Sequence, residues 1–264
     1  MPALKDQIFG PQGYSTDLRL AAGELAIFRG LINDQWLATI AHAHPDLSEA
    51  AAAAGIENYH RIADRVEHKK LWPKANRVLP QHAVETVKGL PFFATLKHEF
   101  GDFEISDVYD THQHHGHEEI YWRLVRPNVG SDVGSIHADT WFHRSFNMGH
   151  GMFAPGTATV KIWIPIYCEP GKNGLAIVKG SHTRDWSFHV ETIEGLPKPV
   201  PDQDLSNVGA ELVATEPGNM VIFHEKTLHG GVVNRGDRTR VSAEITMVLS
   251  GGATHCHQID WIRA

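Results

Sequence analysis

Apolar and polar residues follow two different rhythms along this chain, and the change falls near residue 101. Before it, Leu18, Leu20, Leu25, Ile27, Phe28 and Leu31 recur at roughly the spacing of one helical face, and Ser15-Thr16-Asp17 offers a side-chain cap ahead of them. A second helix is expected from Pro45 through the alanine run at 50–54, stopped by Gly55, and a third over 56–71 with Pro73 beyond it. Pro91 opens a short helix through Phe92, Phe93, Leu96 and Phe100, closed by Gly101. After that, β-favouring runs at 103–108, 120–125, 135–142, 157–167, 175–178, 211–215, 220–223 and 239–249 are divided by Gly, Pro, Asn and Asp. Short strands without long helices between them predict an antiparallel sandwich or jelly roll, not a βαβ sheet. The stretch 183–207 holds three prolines and little periodicity, and is expected to be a long inserted loop of the kind that serves as a lid. The whole reads as one domain over 1–264: a mostly helical buttress at 1–101 and a β core at 102–250, mainly β in architecture and α+β by content.

Strand faces carry the next layer of information. If 135–142 is a strand, His137, Asp139 and Trp141 share one face. Over 238–247, Arg238, Arg240, Ser242, Glu244 and Thr246 alternate with Thr239, Val241, Ala243, Ile245 and Met247. Over 157–167, Lys161, Trp163 and Tyr167 lie opposite Ala158, Val160, Ile162, Ile164 and Ile166. A solvated outer face explains such alternation on one strand. Several such strands together suggest a polar interior wall.

Composition adds limits. The chain has 264 residues, 42% hydrophobic and 21% charged, which is ordinary for a globular protein with a sizeable core. A net charge of −7 without a basic stripe argues against a nucleic-acid partner. Only Cys168 and Cys256 occur, without a C-x-x-C spacing, so neither a disulfide framework nor a cysteine-rich zinc site is expected and a reducing compartment fits. The first residues lack the apolar stretch of a signal peptide, and no run of about eighteen apolar residues predicts a membrane span. A cytoplasmic location is the expectation.

The candidate chemistry centres on His137-Ala138-Asp139, answered by His229. Two imidazoles and one carboxylate leave three adjacent metal positions open, a ligand set suited to non-haem Fe(II). With 19 histidines in the chain, an H-x-D arises readily by chance, so its context matters: His229-Gly230-Gly231, then Asn234, Arg240 and Ser242. A guanidinium gives a bidentate, charge-assisted clamp on a carboxylate, and a hydroxyl two residues on shares its strand face. Trp163 fits either the core or a ligand wall, and Lys161 either an exposed strand position or a ligand carboxylate. Trp141, Phe142, Arg144 and Asn147, with His143, follow the first two candidate ligands and are candidates to face a substrate. Arg144 fits a surface ion pair as well as an anionic substrate. His112, His114, His115 and His117 form a second cluster, better read as a solvated loop. A serine-nucleophile reading has no G-x-S-x-G elbow behind it.

The run Gly134-Ser135-Ile136-His137-Ala138-Asp139-Thr140-Trp141 resembles the ligand-bearing segment of the phytanoyl-CoA dioxygenase family, which are Fe(II)/2-oxoglutarate oxygenases. Trp163-Ile164-Pro165-Ile166 and 173–182 resemble its middle segment, with Lys179 where proline is usual. Gly218–Phe223, His229-Gly230-Gly231, Asn234 and Arg240-Val241-Ser242 resemble its closing segment, so the likeness runs in order from about 91 to 249. It implies a double-stranded β-helix (a jelly roll, cupin-like) with iron held by His137, Asp139 and His229. It further implies 2-oxoglutarate anchored by Arg240 beside Ser242, with O2 as oxidant and succinate and CO2 as co-products. Related halogenases carry a small residue at the carboxylate position, so Asp139 favours hydroxylation of a C–H bond in a small metabolite or natural-product intermediate. Two other readings stay open on the residues alone: a cupin-like module that binds metal without catalysis, and an iron oxygenase that does not use 2-oxoglutarate.

Overall fold

The computed structural model describes residues 3–108, 114, 116–145, 157–193 and 196–249; His112, His115, Asn147 and Cys256 lie outside them. Helix α1 (Leu4–Ile8) and strand β1 (Tyr14–Ser15) precede the long helix α2 (Ala22–Ala43). The helix begins at Ala22 and not at Leu18. The Glu24 carboxylate accepts the Ala21 backbone N–H at 2.7 Å and caps the first turn. Leu18 and Leu20 instead lie in an extended segment, where the Leu20 N–H donates to Gly218 O and Leu18 O accepts from Met220, each at 2.9 Å. Along α2, Phe28, Ile32, Trp36 and Ile40 recur every fourth residue and form its buried stripe.

A 3-10 turn at Pro45–Leu47 leads into α3 (Ser48–Ala54), which ends at Gly55 with φ 73°, a left-handed conformation that favours glycine. The single helix expected over 56–71 is two 3-10 segments, Ile56–Arg61 and Ala63–Arg65, and one turn, α4 (His68–Leu71). The reason is visible in the chain. Ile56, Tyr59 and Ile62, all buried, are spaced three apart, the period of a 3-10 helix. Helix α5 (Gln81–Lys88) has no counterpart in the sequence reading, whereas α6 (Pro91–Phe100) has the predicted bounds.

The strands and the last helix follow: β2 (Phe103–Ile105), β3 (Ile120–Val125), α7 (Asp139–Ser145), β4 (Ala158–Tyr167), β5 (Leu175–Ile177), β6 (Phe188–Ile193), β7 (Leu196–Pro201), β8 (Glu211–Leu212), β9 (Val221–His224), β10 (His229–Gly231) and β11 (Arg240–Leu249). The fold is therefore a mixture of helix and antiparallel sheet. The larger, six-stranded sheet runs β1-β9-β4-β11, with β3 and β2 sharing the far edge of β11; β10-β5-β8 form a second sheet. One face of the larger sheet packs Val160, Ile162, Ile164, Trp122, Leu124, Ala243 and Ile245 against the N-terminal helices. The opposite face, with Trp163, Val221 and Phe223, meets Leu175 and Ile177 of the second sheet. Burying a side chain of this size contributes about 1.5–3 kcal/mol, so the helical third and the sheet share one core. Among the described residues no helix is long and apolar enough to cross a membrane.

Three expectations are corrected here. The run 135–142 is not a strand: His137 makes a single bridge to His229, and α7 starts at Asp139. Once there, Trp141 donates to Ala138 O at 3.0 Å and Thr140 to Glu225 O at 3.3 Å, while the Asp139 carboxylate sits at the positive end of the helix. Alternation over five residues fits either conformation, and the acid at the first turn favours the helix.

Tyr167 does not share a face with Lys161 and Trp163. The β4–β11 register slips between Val241 and Ser242, which pair with Tyr167 and Pro165 and leave Ile166 as a bulge. Arg29 of α2 donates to the bulged Ile166 O from Nε at 3.2 Å and Nη2 at 3.0 Å. Its guanidinium lies 4.4 Å from the Tyr167 ring, which packs on the helix side.

The stretch 183–207 contains the hairpin β6–β7. Pro197, Pro199 and Pro201 pair with Thr192, Val190 and Phe188, so all three sit at alternate positions, where a missing N–H costs a two-stranded ribbon no ladder bond.

Candidate active site

His137 and His229 exchange backbone hydrogen bonds across their bridge, each N–H donating to the other's carbonyl at 2.9 Å, and this sets their rings side by side at 4.4 Å between centroids. The approach requires Gly230, where an added Cβ would lie 3.2 Å from Ile136 Cα. His137 Nδ1 lies 2.8 Å from Ser135 O, and His229 Nδ1 lies 2.9 Å from Thr227 O. A carbonyl only accepts, so both Nδ1 atoms carry a proton, and it is the two Nε2 atoms that face Asp139 as the metal-ligating nitrogens. Asp139 Oδ1, swung in by the start of α7, is 3.9 Å from His137 Nε2 and 3.8 Å from His229 Nε2. The three donors lie within 4.8 Å of one another and form the one such cluster among the described residues.

The electrostatics keep this set ready for a cation. Burial, reinforced by His229, pulls the His137 imidazole down to about 4, so it is neutral at pH 7. Burial pushes the Asp139 carboxyl up, but Lys161 and the two histidines outweigh it and hold it below the usual carboxylate range. Phe142 packs edge-on to the His137 ring at 5.1 Å, and Phe223 lies 4.4 Å from that of His229.

The face of the larger sheet turned away from the N-terminal helices supplies a second group. Register sets Arg123 and Pro165 on either side of Ser242, Tyr121 and Trp163 on either side of Glu244, and Lys161 beside Thr246. Arg240 is 2% exposed, yet among the described residues no carboxylate lies within 4 Å of it. Nη1 donates to Ser242 Oγ at 3.3 Å, and Nε has no acceptor. Burial, with Arg123 nearby, lowers its pKa to about 10. Its guanidinium lies 5.5 Å from the Trp163 ring. Lys161 donates to Thr246 Oγ1 at 3.1 Å and stands 3.7 Å from Glu244, with its side chain 15% exposed.

Sequence reasoning passed over several residues around these. Arg123 donates from Nε to Glu244 Oε1 at 2.8 Å. Burial would raise the Glu244 carboxyl, but Arg123 and Lys161 bring it down to about 2. The strict alternation of Tyr121 and Arg123 with Ile120, Trp122 and Leu124 was the available signal. Behind Asp139, Glu225 accepts from the Thr159 hydroxyl and stands 3.8 Å from His143 Nδ1; burial pushes its carboxyl up to about 7. Nothing in the sequence pattern marks Glu225.

The remaining candidates are dispersed. Trp141 is 3% exposed, packed with Ala138, Val178 and Leu228, and stacks on Phe188 of the hairpin at 5.5 Å. Arg144 is exposed on α7. His114 Nε2 lies 3.0 Å from Ala75 O, and neither His114 nor His117 joins the metal-competent cluster.

The same architecture occurs in solved structures. A non-heme monooxygenase, ThoJ, crystallised as a nickel complex, superposes with a TM-score of 0.52 at 11% identity, over 93% of this chain and 77% of its own. EctD from S. alaskensis in its apoform gives 0.50 at 17% identity, over 94% and 77%. At such identities the likeness is one of fold. No curated protein matches the sequence. The phytanoyl-CoA dioxygenase (PhyH) family, however, matches residues 22–242. That span runs from α2 into β11 and takes in both histidines, Asp139, Arg240 and Ser242, and the chain belongs to the phytanoyl-CoA dioxygenase family of Fe(II)/2-oxoglutarate-dependent oxygenases.

Proposed function

We propose that this protein hydroxylates a C–H bond of a small molecule, using Fe(II), 2-oxoglutarate and O2 and releasing succinate and CO2. His137, Asp139 and His229 hold the metal. Two imidazoles and one carboxylate match the donor preference of a non-haem ferrous site, and the carbonyls behind each Nδ1 fix the rings. Bound there, iron with 2-oxoglutarate and O2 supplies the oxidising power. Asp139 occupies one position, which favours hydroxylation over halogenation.

The observation that carries the reading is Arg240. A buried guanidinium without a counter-charge is costly, and the carboxylate missing from the protein is the one a dicarboxylate cosubstrate brings. Ser242 steadies the fork, Trp163 forms the adjoining wall and Lys161 adds a second positive charge to it. A metal-holding module without catalysis has no use for this clamp. In the wider architecture, we assign 1–101 as buttress and 102–250 as a double-stranded β-helix within one domain over 1–264. We assign the hairpin, docked on α7 through Trp141 and Phe188, as its lid. The free thiol of Cys168 suits a reducing, cytoplasmic setting.

Anaerobic reconstitution with Fe(II), followed by titration with 2-oxoglutarate and then assay of succinate on exposure to air, tests the proposal. Asp139→Ala and His229→Ala are expected to abolish metal binding. Arg240→Ala spares the metal and weakens 2-oxoglutarate by about 100-fold, the loss of a buried charge pair. Failure of the loaded protein to bind 2-oxoglutarate sinks the reading; unchanged affinity in Arg240→Ala sinks the anchor.

A further inference from the structure

Strands β3, β4 and β11 carry four charged residues in all: Arg123, Lys161, Arg240 and Glu244. The function proposed above uses Arg240 for the cosubstrate. Arg123 is left over, and its surroundings are specific. It stands across the register from Ser242, on the same wall as Arg240. Glu244 takes its Nε–H, and the guanidinium lies 5.0 Å from the Tyr121 ring, so the side chain is braced from two directions. Among the described residues Nη1 and Nη2 have no acceptor. Even so braced, 37% of the Arg123 side chain is exposed, so a small anion can reach it.

A guanidinium binds a carboxylate through two parallel N–H groups on one edge. Glu244 occupies the Nε side, and the Nη1–Nη2 edge is free. A braced fork with a free, accessible edge beside Arg240 is an anion subsite whose donors are already oriented. The neighbouring Glu244 charge disfavours a dianion such as a phosphate monoester and leaves a planar monoanion as the better fit. We propose that Arg123, held by Glu244, is a second carboxylate clamp on the same sheet face as Arg240, and that the molecule this enzyme oxidises carries a carboxylate that binds there. The second half of that statement rests on the oxygenase reading; the clamp itself does not.

The test uses acetate as probe. Protein loaded with Mn(II) and saturating 2-oxoglutarate is melted in increasing sodium acetate, with ionic strength held constant by chloride and acetamide as the neutral control. At 100 mM acetate, a dissociation constant of about 10 mM raises the midpoint by about 3 °C. Acetamide gives no rise, Arg123→Gln abolishes the acetate effect, and 2-oxoglutarate affinity in Arg123→Gln stays within about twofold of native. Should Arg123→Gln not fold, Arg123→Lys keeps the charge without the fork, and its rise is expected to be smaller than native. Three results overturn the proposal: no acetate-specific rise in the native protein, an equal rise in the variant, or a variant that has lost 2-oxoglutarate instead. The last would place Arg123 in the cosubstrate subsite. If the native protein binds no 2-oxoglutarate at all, the oxygenase reading fails, while the acetate comparison on the Mn(II) form still reads the clamp.

Discussion

On the side covered by helices, the larger sheet presents Val160, Ile162, Ile164, Val241, Ala243, Ile245 and Met247, all fully buried. On the other side, the same strands present Lys161, Trp163, Arg240, Ser242 and Glu244. Neighbours in sequence thus belong to different regions of the molecule. The helix side excludes water and carries stability through contact area. The other side retains charges that bury poorly and are only partly matched, which lowers stability. Residues one apart therefore answer to opposite selection, and each prediction below sets one side against the other.

The largest effect belongs to the helix side. Ile162→Ala is expected to cost about 3 kcal/mol by urea denaturation, from lost burial and the cavity left behind, with metal affinity of the folded protein unchanged. A comparable loss of metal affinity would show that the two sides are not separable. Next is Glu244→Gln, which strips the shared counter-charge from Arg123 and Lys161. Its cost is set at about 1–2 kcal/mol, kept low because Arg123 is partly solvated.

Acid is expected to act through buried histidines away from the site. Burial, with Arg126, holds His68 down at about 4, and burial with His182 holds His224 down at about 3, against 6.5 in an unfolded chain. Both stay neutral while the unfolded chain takes up protons, so stability falls as pH drops from about 6.5 towards 4. Melting midpoints at pH 7 and 5.5 measure it, at about 1 kcal/mol per group, and His68→Gln should flatten the slope. The smallest effect has the opposite sign. Arg240→Met removes an unmatched buried cation and should raise the ligand-free midpoint by under about 1 kcal/mol, while abolishing the stabilisation that 2-oxoglutarate gives. A lower midpoint would mean that Arg240 is satisfied by the protein itself.

Legibility followed the physics of each signal. Helix α6 was readable because proline and glycine punctuate both ends, and the faces of β11 because ten residues of alternation leave little choice. His137, Asp139 and His229 could be named from type and order. How Asp139 reaches the histidines could not, since that depends on a chain reversal into α7 held by Glu225 O, a contact distant in sequence. Alternation also misplaced Tyr167, because a bulge adds one residue without disturbing the apolar count. Arg123 lay in a clean alternating strand, but nothing local distinguishes a braced, half-used guanidinium from a solvated one.

The bulge at Ile166 decides which face of the sheet Tyr167 occupies. Paired regularly, with Ile166 in the ladder opposite Val241, the same strand would carry Tyr167 opposite Arg240, onto the face of Trp163 and Lys161. One bulged residue, pinned from outside by Arg29, thus keeps a phenol off the wall that holds Arg240 and Trp163.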